Sequence, residues 1–161
     1  MTSRILPTAV VLLALLGAAW LVWPDRQPMP VVDFTLTDGR QLQGSELRGR
    51  PLLLNFWSIS CEVCLHDMPK LTRLAETLTD KGLNVIGVAM SYDPPPAIIE
   101  AVERLQPGYP IALDVSGDIA RAFGNVDVTP TTFLIGPDGA LLFKGRGALD
   151  EIRIRATLLT L

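Results

Sequence analysis

The chain has 161 residues, enough for one domain and too few for two of ordinary size. Asp and Glu number 17 against 14 Lys and Arg, and the basic residues form no cluster. That dispersed charge excludes a surface built to neutralise a nucleic-acid backbone.

Apolar residues make up 48% of the chain and mean hydropathy is +0.33, an excess concentrated at the N-terminus. There, Ile5 to Trp23 runs 19 residues without a charge, against the ~20 needed to cross a bilayer. Arg4 on the short side favours an inside N-terminus and an exported remainder. Trp20 and Trp23 stand where interfacial aromatics would. The run is longer than the apolar region of a signal peptide and ends in bulky residues, so residues 1–24 read as a retained transmembrane anchor. A cleaved signal peptide is the alternative, with Gly17-Ala18-Ala19 as small residues near its end. Either reading puts the rest of the chain outside the cytosol, where thiol oxidation state must be managed. Residues 25–30 follow as a short, proline-bearing linker, and residues 31–161 form the domain.

In the domain, "FTLTDGRQLQ" alternates apolar and polar residues about Asp38-Gly39, a hairpin signal. The unbroken apolar stretch Leu52 to Trp57 predicts a strand buried on both faces. From Cys61 the period changes: Cys64, Met68, Leu71, Ala75 and Leu78 recur at helical spacing, with Pro69 expected to kink the helix and Gly82 to end it. "LNVIGVAM" predicts a second central strand and completes a βαβ unit. A helix over Pro96 to Leu105, a strand at "IALD", a short helix closed by Gly124, two strands joined at Pro137-Asp138-Gly139 and a final helix complete the chain. This order predicts an α/β fold with one central mixed sheet and helices on both faces.

Both cysteines, Cys61 and Cys64, lie in "NFWSISCEVCLHDMP". A structural zinc site needs four ligands, and His66 is the one histidine available. A purely structural disulfide closing so short a loop contributes roughly 2 kcal/mol or less. A redox pair fits better. A strand-to-helix junction sets Cys61 at a helix N-terminus, where free N–H groups and the macrodipole favour the reactive thiolate. Cys64, one turn deeper, can resolve a mixed disulfide. Glu62 either repels that thiolate or is simply solvated. His66, roughly 140° around the helix from Cys61, reads as an exposed residue.

"LLLNFWSISCEVCLHDMP" and the later "VTPTTFLIGPDG" resemble the membrane-anchored TlpA/ResA-type branch of the thioredoxin family, from about Val31 to the last helix. The resemblance implies a thioredoxin fold: a central mixed sheet flanked by helices, with an N-terminal β-hairpin and a central helical insertion, preceded by one transmembrane helix. It also implies a thiol–disulfide oxidoreductase, usually reductive, acting on exported protein thiols and disulfides. Several family members serve cytochrome c maturation. The protein is then a single-pass inner-membrane protein with its domain on the periplasmic side, fed by a membrane electron donor, with no metal or cofactor expected.

On this resemblance Cys61 is the nucleophile, Cys64 the resolving thiol and Asp67 a proton acceptor beside them. Trp57 belongs to the wall of the site. Thr129-Pro130 is expected as a cis peptide facing Cys61 across a substrate groove. The chain departs from its relatives at Ser60, where many have Trp, at Val63, where many have Pro, and at Asp67, where Glu is common. Asn55 replaces the buried Asp of cytosolic thioredoxins. A peroxiredoxin shares the fold, but Leu54 occupies that family's proline position and peroxide reduction needs no Cys64. A copper or apocytochrome-binding module is the other rival; copper chaperones of this fold use a wider cysteine spacing and a distant histidine, and none follows His66.

Overall fold

Alternation along two central strands sorts the apolar side chains onto the two faces of one sheet. In the computed structural model, which describes residues 28–161, β3 (Leu52–Trp57) sends Leu53 and Trp57 to one core and Leu52, Leu54 and Phe56 to the other. Its parallel neighbour β4 (Asn84–Ala89) does the same with Val85 and Ala89 against Ile86 and Val88. Strands buried on both faces carry the continuous apolar runs seen in the sequence.

The remaining strands are β1 (Phe34–Leu36), β2 (Gln41–Leu42), β5 (Ile111–Leu113), β6 (Thr131–Ile135) and β7 (Leu141–Arg146). The seven lie in the order β2-β1-β5-β4-β3-β6-β7. Strands β3, β4 and β5 run parallel, and the pairs β1–β2, β1–β5, β3–β6 and β6–β7 are antiparallel. Both predicted turns are present, at Asp38-Gly39 and at 137–139. This is the expected thioredoxin-like mixed sheet. The predicted anchor and residues 25–27 of the linker lie outside the described residues, and no helix among those described is long and apolar enough to cross a membrane.

Helix α1 (Glu62–Thr77) lays Cys64, Met68, Leu71 and Leu74 on the Trp57 side of the sheet, the stripe that the spacing predicts. It continues through Pro69, whose missing N–H leaves the Leu65 carbonyl without its helical partner. It stops five residues short of Gly82. Thr77 and Thr79 turn their hydroxyls back onto the Arg73 and Ala75 carbonyls, and a 3-10 turn over Thr79–Lys81 leads to Gly82 in the left-handed region. Helix α2 (Pro95–Leu105) and the closing α4 (Glu151–Leu158) cover the same face, through Ile98, Ile154 and Leu158. Helix α3 (Asp118–Ala122) covers the other, beside the aromatic trio Phe56, Phe123 and Phe133.

The chain enters at one pole of the sheet. Met29 N donates to Gly139 O and Gly49 N to Pro137 O, beside the start of β3. The carboxyl ends of β3, β4 and β5 point to the other pole, roughly 20 Å away for a six-residue strand.

Candidate active site

At that far pole the chain leaves β3 through Ser58–Ser60 and enters α1 at Cys61, its N-cap. Cys61 and Cys64 are joined, with S–S 2.09 Å and Cα–Cα 5.2 Å. The Cys64 N–H donates to Cys61 Sγ at 3.2 Å, so the helix N-terminus is aimed at that sulfur. Cys61 is half-buried, whereas Cys64 is 2% exposed and belongs to the core with Met68 and Leu71. The two sulfurs therefore sit in different media. The outer one faces water and backbone N–H groups, the inner one hydrocarbon.

Asp67 lies one turn beyond Cys64 and is 1% exposed. Its Oδ1 accepts from Lys70 Nζ at 2.6 Å, with His66 Nδ1 at 3.7 Å, and its Oδ2 accepts from Leu149 N at 2.7 Å. The carboxylate is thus inside the protein, tying α1 to the residues that lead into α4. His66 is exposed, as its position around the helix predicts. Asn55 is buried and donates to Thr132 Oγ1 at 2.9 Å, on the same face of β3 as Trp57. An amide there takes up no proton, which leaves Asp67 as the buried carboxylate on this helix.

Trp57 is 1% exposed and packs in the core beneath the site, its indole N–H without a hydrogen-bond partner. Thr129-Pro130 is a cis peptide. Phe56 pairs with Thr131 at the start of β6, so Pro130 lies beside the carboxyl end of β3, from which the Cys61 turn departs. Tyr92, in the loop after β4, reaches Thr129 Oγ1 with its hydroxyl at 3.4 Å. Tyr109, buried beneath, has its phenol pushed up by burial and then by the Asp67 charge.

A residue absent from the sequence reading, Asp93, stands here. Asp93, 7% exposed, accepts from Ser58 Oγ at 3.1 Å and from Ile59 N at 2.8 Å. Ser58 Oγ in turn lies 2.9 Å from Ser60 Oγ. The available signal was an acidic residue just past the carboxyl end of a parallel strand, where sites in open α/β sheets gather. Among the described residues no cluster of His, Cys, Asp and Glu is arranged to hold a metal.

Residues 26–144 match the AhpC/TSA family. The chain belongs to that family. Curated relatives include the thiol-disulfide oxidoreductase ResA of Geobacillus thermodenitrificans, 32% identical over 125 residues, which covers 75% of this chain and 71% of that one. ResA of Bacillus thuringiensis subsp. konkukian is 27% identical over 157 residues, covering 90% and 89%. With its C-x-x-C disulfide, this family member is a thiol–disulfide oxidoreductase. Solved structures share its fold. The exposed lipoprotein thioredoxin Etrx1 of Streptococcus pneumoniae is 23% identical with a TM-score of 0.74, covering 82% of this chain and 100% of that one. A secreted disulfide oxidoreductase of Mycobacterium tuberculosis is 21% identical with a TM-score of 0.70, covering 81% and 96%.

Proposed function

We propose that the protein is a membrane-tethered, exported reductase of protein disulfides. The observation that carries this reading is the asymmetry of the pair: one sulfur at the helix N-terminus and reachable, the other buried one turn on. In the reduced protein the Cys61 thiolate attacks a substrate disulfide, forming a mixed disulfide and expelling one substrate thiolate. Cys64, losing its proton toward Asp67, then attacks Cys61 Sγ and releases the second substrate thiolate. Two electrons pass to the substrate and the Cys61–Cys64 disulfide remains, to be reduced again by a dithiol donor in or at the membrane. Thr129 and Pro130 line the groove in which an extended substrate segment lies against Cys61, and Trp57 backs it from below. The disulfide of exported, oxidised apocytochrome c is the first substrate class to try, because several relatives of this type serve cytochrome c maturation.

Alkylation of the reduced protein at mildly acidic pH tests the assignment: Cys61 is modified first, and preferential modification of Cys64 overturns it. Cys61→Ser abolishes insulin reduction, and Cys64→Ser accumulates a mixed disulfide whose partner identifies the substrate. A peroxide-consumption assay run alongside separates a peroxiredoxin, and Cu(I) binding without exchange separates a copper carrier.

A further inference from the structure

We propose that Asp93 is the positioning residue for the attacking sulfur: its buried carboxylate holds the Ser58–Ser60 turn and opposes the charge that forms on Cys61. The proposal rests on the reading above, in which Cys61 attacks.

The geometry is a short, directed network. A carboxylate only accepts, so the Ser58 hydroxyl proton is committed to Asp93 Oδ1 (3.1 Å) and the Ile59 N–H to Oδ2 (2.8 Å). Ser58 Oγ then has lone pairs left for the Ser60 N–H at 3.2 Å and the Ser60 hydroxyl at 2.9 Å. The Cys61 N–H donates to the Ser58 carbonyl at 3.2 Å. Every residue from Ser58 to Cys61 therefore hangs on one buried group. That group is itself held to the sheet, since Asp93 N donates to Met90 O and Met90 N to Trp57 O. Ser60, where many relatives carry Trp, closes the network with its hydroxyl. The device is built from this chain's own residues.

Asp93 has no cation within ion-pair distance among the described residues. Its charge is thus unopposed locally, and burial leaves it less screened than a surface carboxylate. The other charged or titratable groups around Cys61 are the Cys64 thiol of the reduced pair, the exposed Glu62 on the next residue, His66 and the Asp67–Lys70 pair farther along α1, Tyr92 beside Asp93, and Asp127, paired with Arg146 before Thr129. Asp93 alone of these bonds to the turn that delivers the sulfur. The helix N-terminus favours the Cys61 thiolate and Asp93 opposes it. A less stabilised thiolate makes the dithiol a better donor, because the reduced form gains less.

The test uses the full-length chain, reduced, with the pH profile of Cys61 alkylation by iodoacetamide and the redox equilibrium with glutathione as readouts. Asp93→Asn keeps the shape and removes the charge. Its alkylation midpoint falls by about half to one pH unit, and its equilibrium moves toward the dithiol. Ser60→Ala, at an exposed position that folding tolerates, keeps the charge and loosens the turn. Its midpoint stays in place while insulin reduction slows about threefold or more. A folded Asp93→Asn variant with midpoint and equilibrium unmoved overturns the charge role, and an unchanged rate in Ser60→Ala overturns the positioning role. If wild type is alkylated first at Cys64, the underlying assignment fails and takes this proposal with it.

Discussion

Both oxygens of the Asp67 carboxylate are occupied, one by the Lys70 ammonium and one by the Leu149 N–H, so a single residue ties α1 to the segment that leads into α4 and stands one turn from the buried thiol. Asp67→Asn keeps the size and removes the proton acceptor proposed for Cys64. We expect resolution of a pre-formed mixed disulfide to slow by about tenfold or more with initial attack much less affected, measured by quenched-flow separation of the two steps. A second residue-level consequence concerns Tyr109. Its phenol is raised above the ordinary value by burial and by Asp67, so the folded chain holds that proton where the unfolded chain releases it. This stabilisation is complete below the unfolded phenol's value of about 10 and is lost as pH rises above it. Tyr109→Phe removes that loss. Urea midpoints of the oxidised protein at pH 9 and pH 11 should fall less for the variant than for wild type.

Among the elements, β4 and α1 carry the site, and Gly87 shows how closely they are built. A Cβ at Gly87 would stand 2.6 Å from Ile111 Cδ1, 3.2 Å from Tyr109 Cε2 and 3.3 Å from Trp57 Nε1. The strand lacks a side chain there because the Trp57 and Tyr109 rings fill the space beneath the C-x-x-C. Gly87→Ala should cost about 1–3 kcal/mol by overpacking, read as a lower urea midpoint. Trp57 fluorescence, recorded in a full-length chain whose Trp20 and Trp23 are replaced by Phe so that one indole remains, would report the same disturbance at the site. In α1 the deciding feature is its start. Cys61 replaces the usual oxygen-bearing cap with a sulfur that accepts from Cys64 N, so the proposed nucleophile and the helix cap are one group.

At the scale of the whole molecule, the pole where the chain enters and the pole that bears Cys61 are opposite ends of the parallel strands. With the proposed tether ahead of residue 30, the thiol site faces away from the point of attachment. If Ile5 to Trp23 is retained as an anchor, the full-length protein stays with membranes through alkaline carbonate washing and its N-terminal sequence begins at or near Met1. A soluble product starting near Trp20 would show a cleaved signal peptide instead.

Local sequence determined the elements and the reacting pair. Period-2 alternation, helical spacing and turn residues are set by side chains near one another along the chain, and so are the strand–helix junction and the C-x-x-C spacing that bring two sulfurs within bonding distance. The cis expectation at Pro130 came from family resemblance, since no local preference demands it. What lay beyond the sequence depends on contacts between distant segments. Asp93 meets Ser58 across 35 residues, Asp67 meets Leu149 across 82, and Asn55 meets Thr132 across 77. Each of these polar groups is buried, and a buried polar group must find its partner wherever the sheet order brings one. Asp67 sits inside the protein for the same reason: only the packing of α1 and α4 on the sheet decides which side of a residue faces water, whereas the burial of Trp57 was legible in the apolar run of β3.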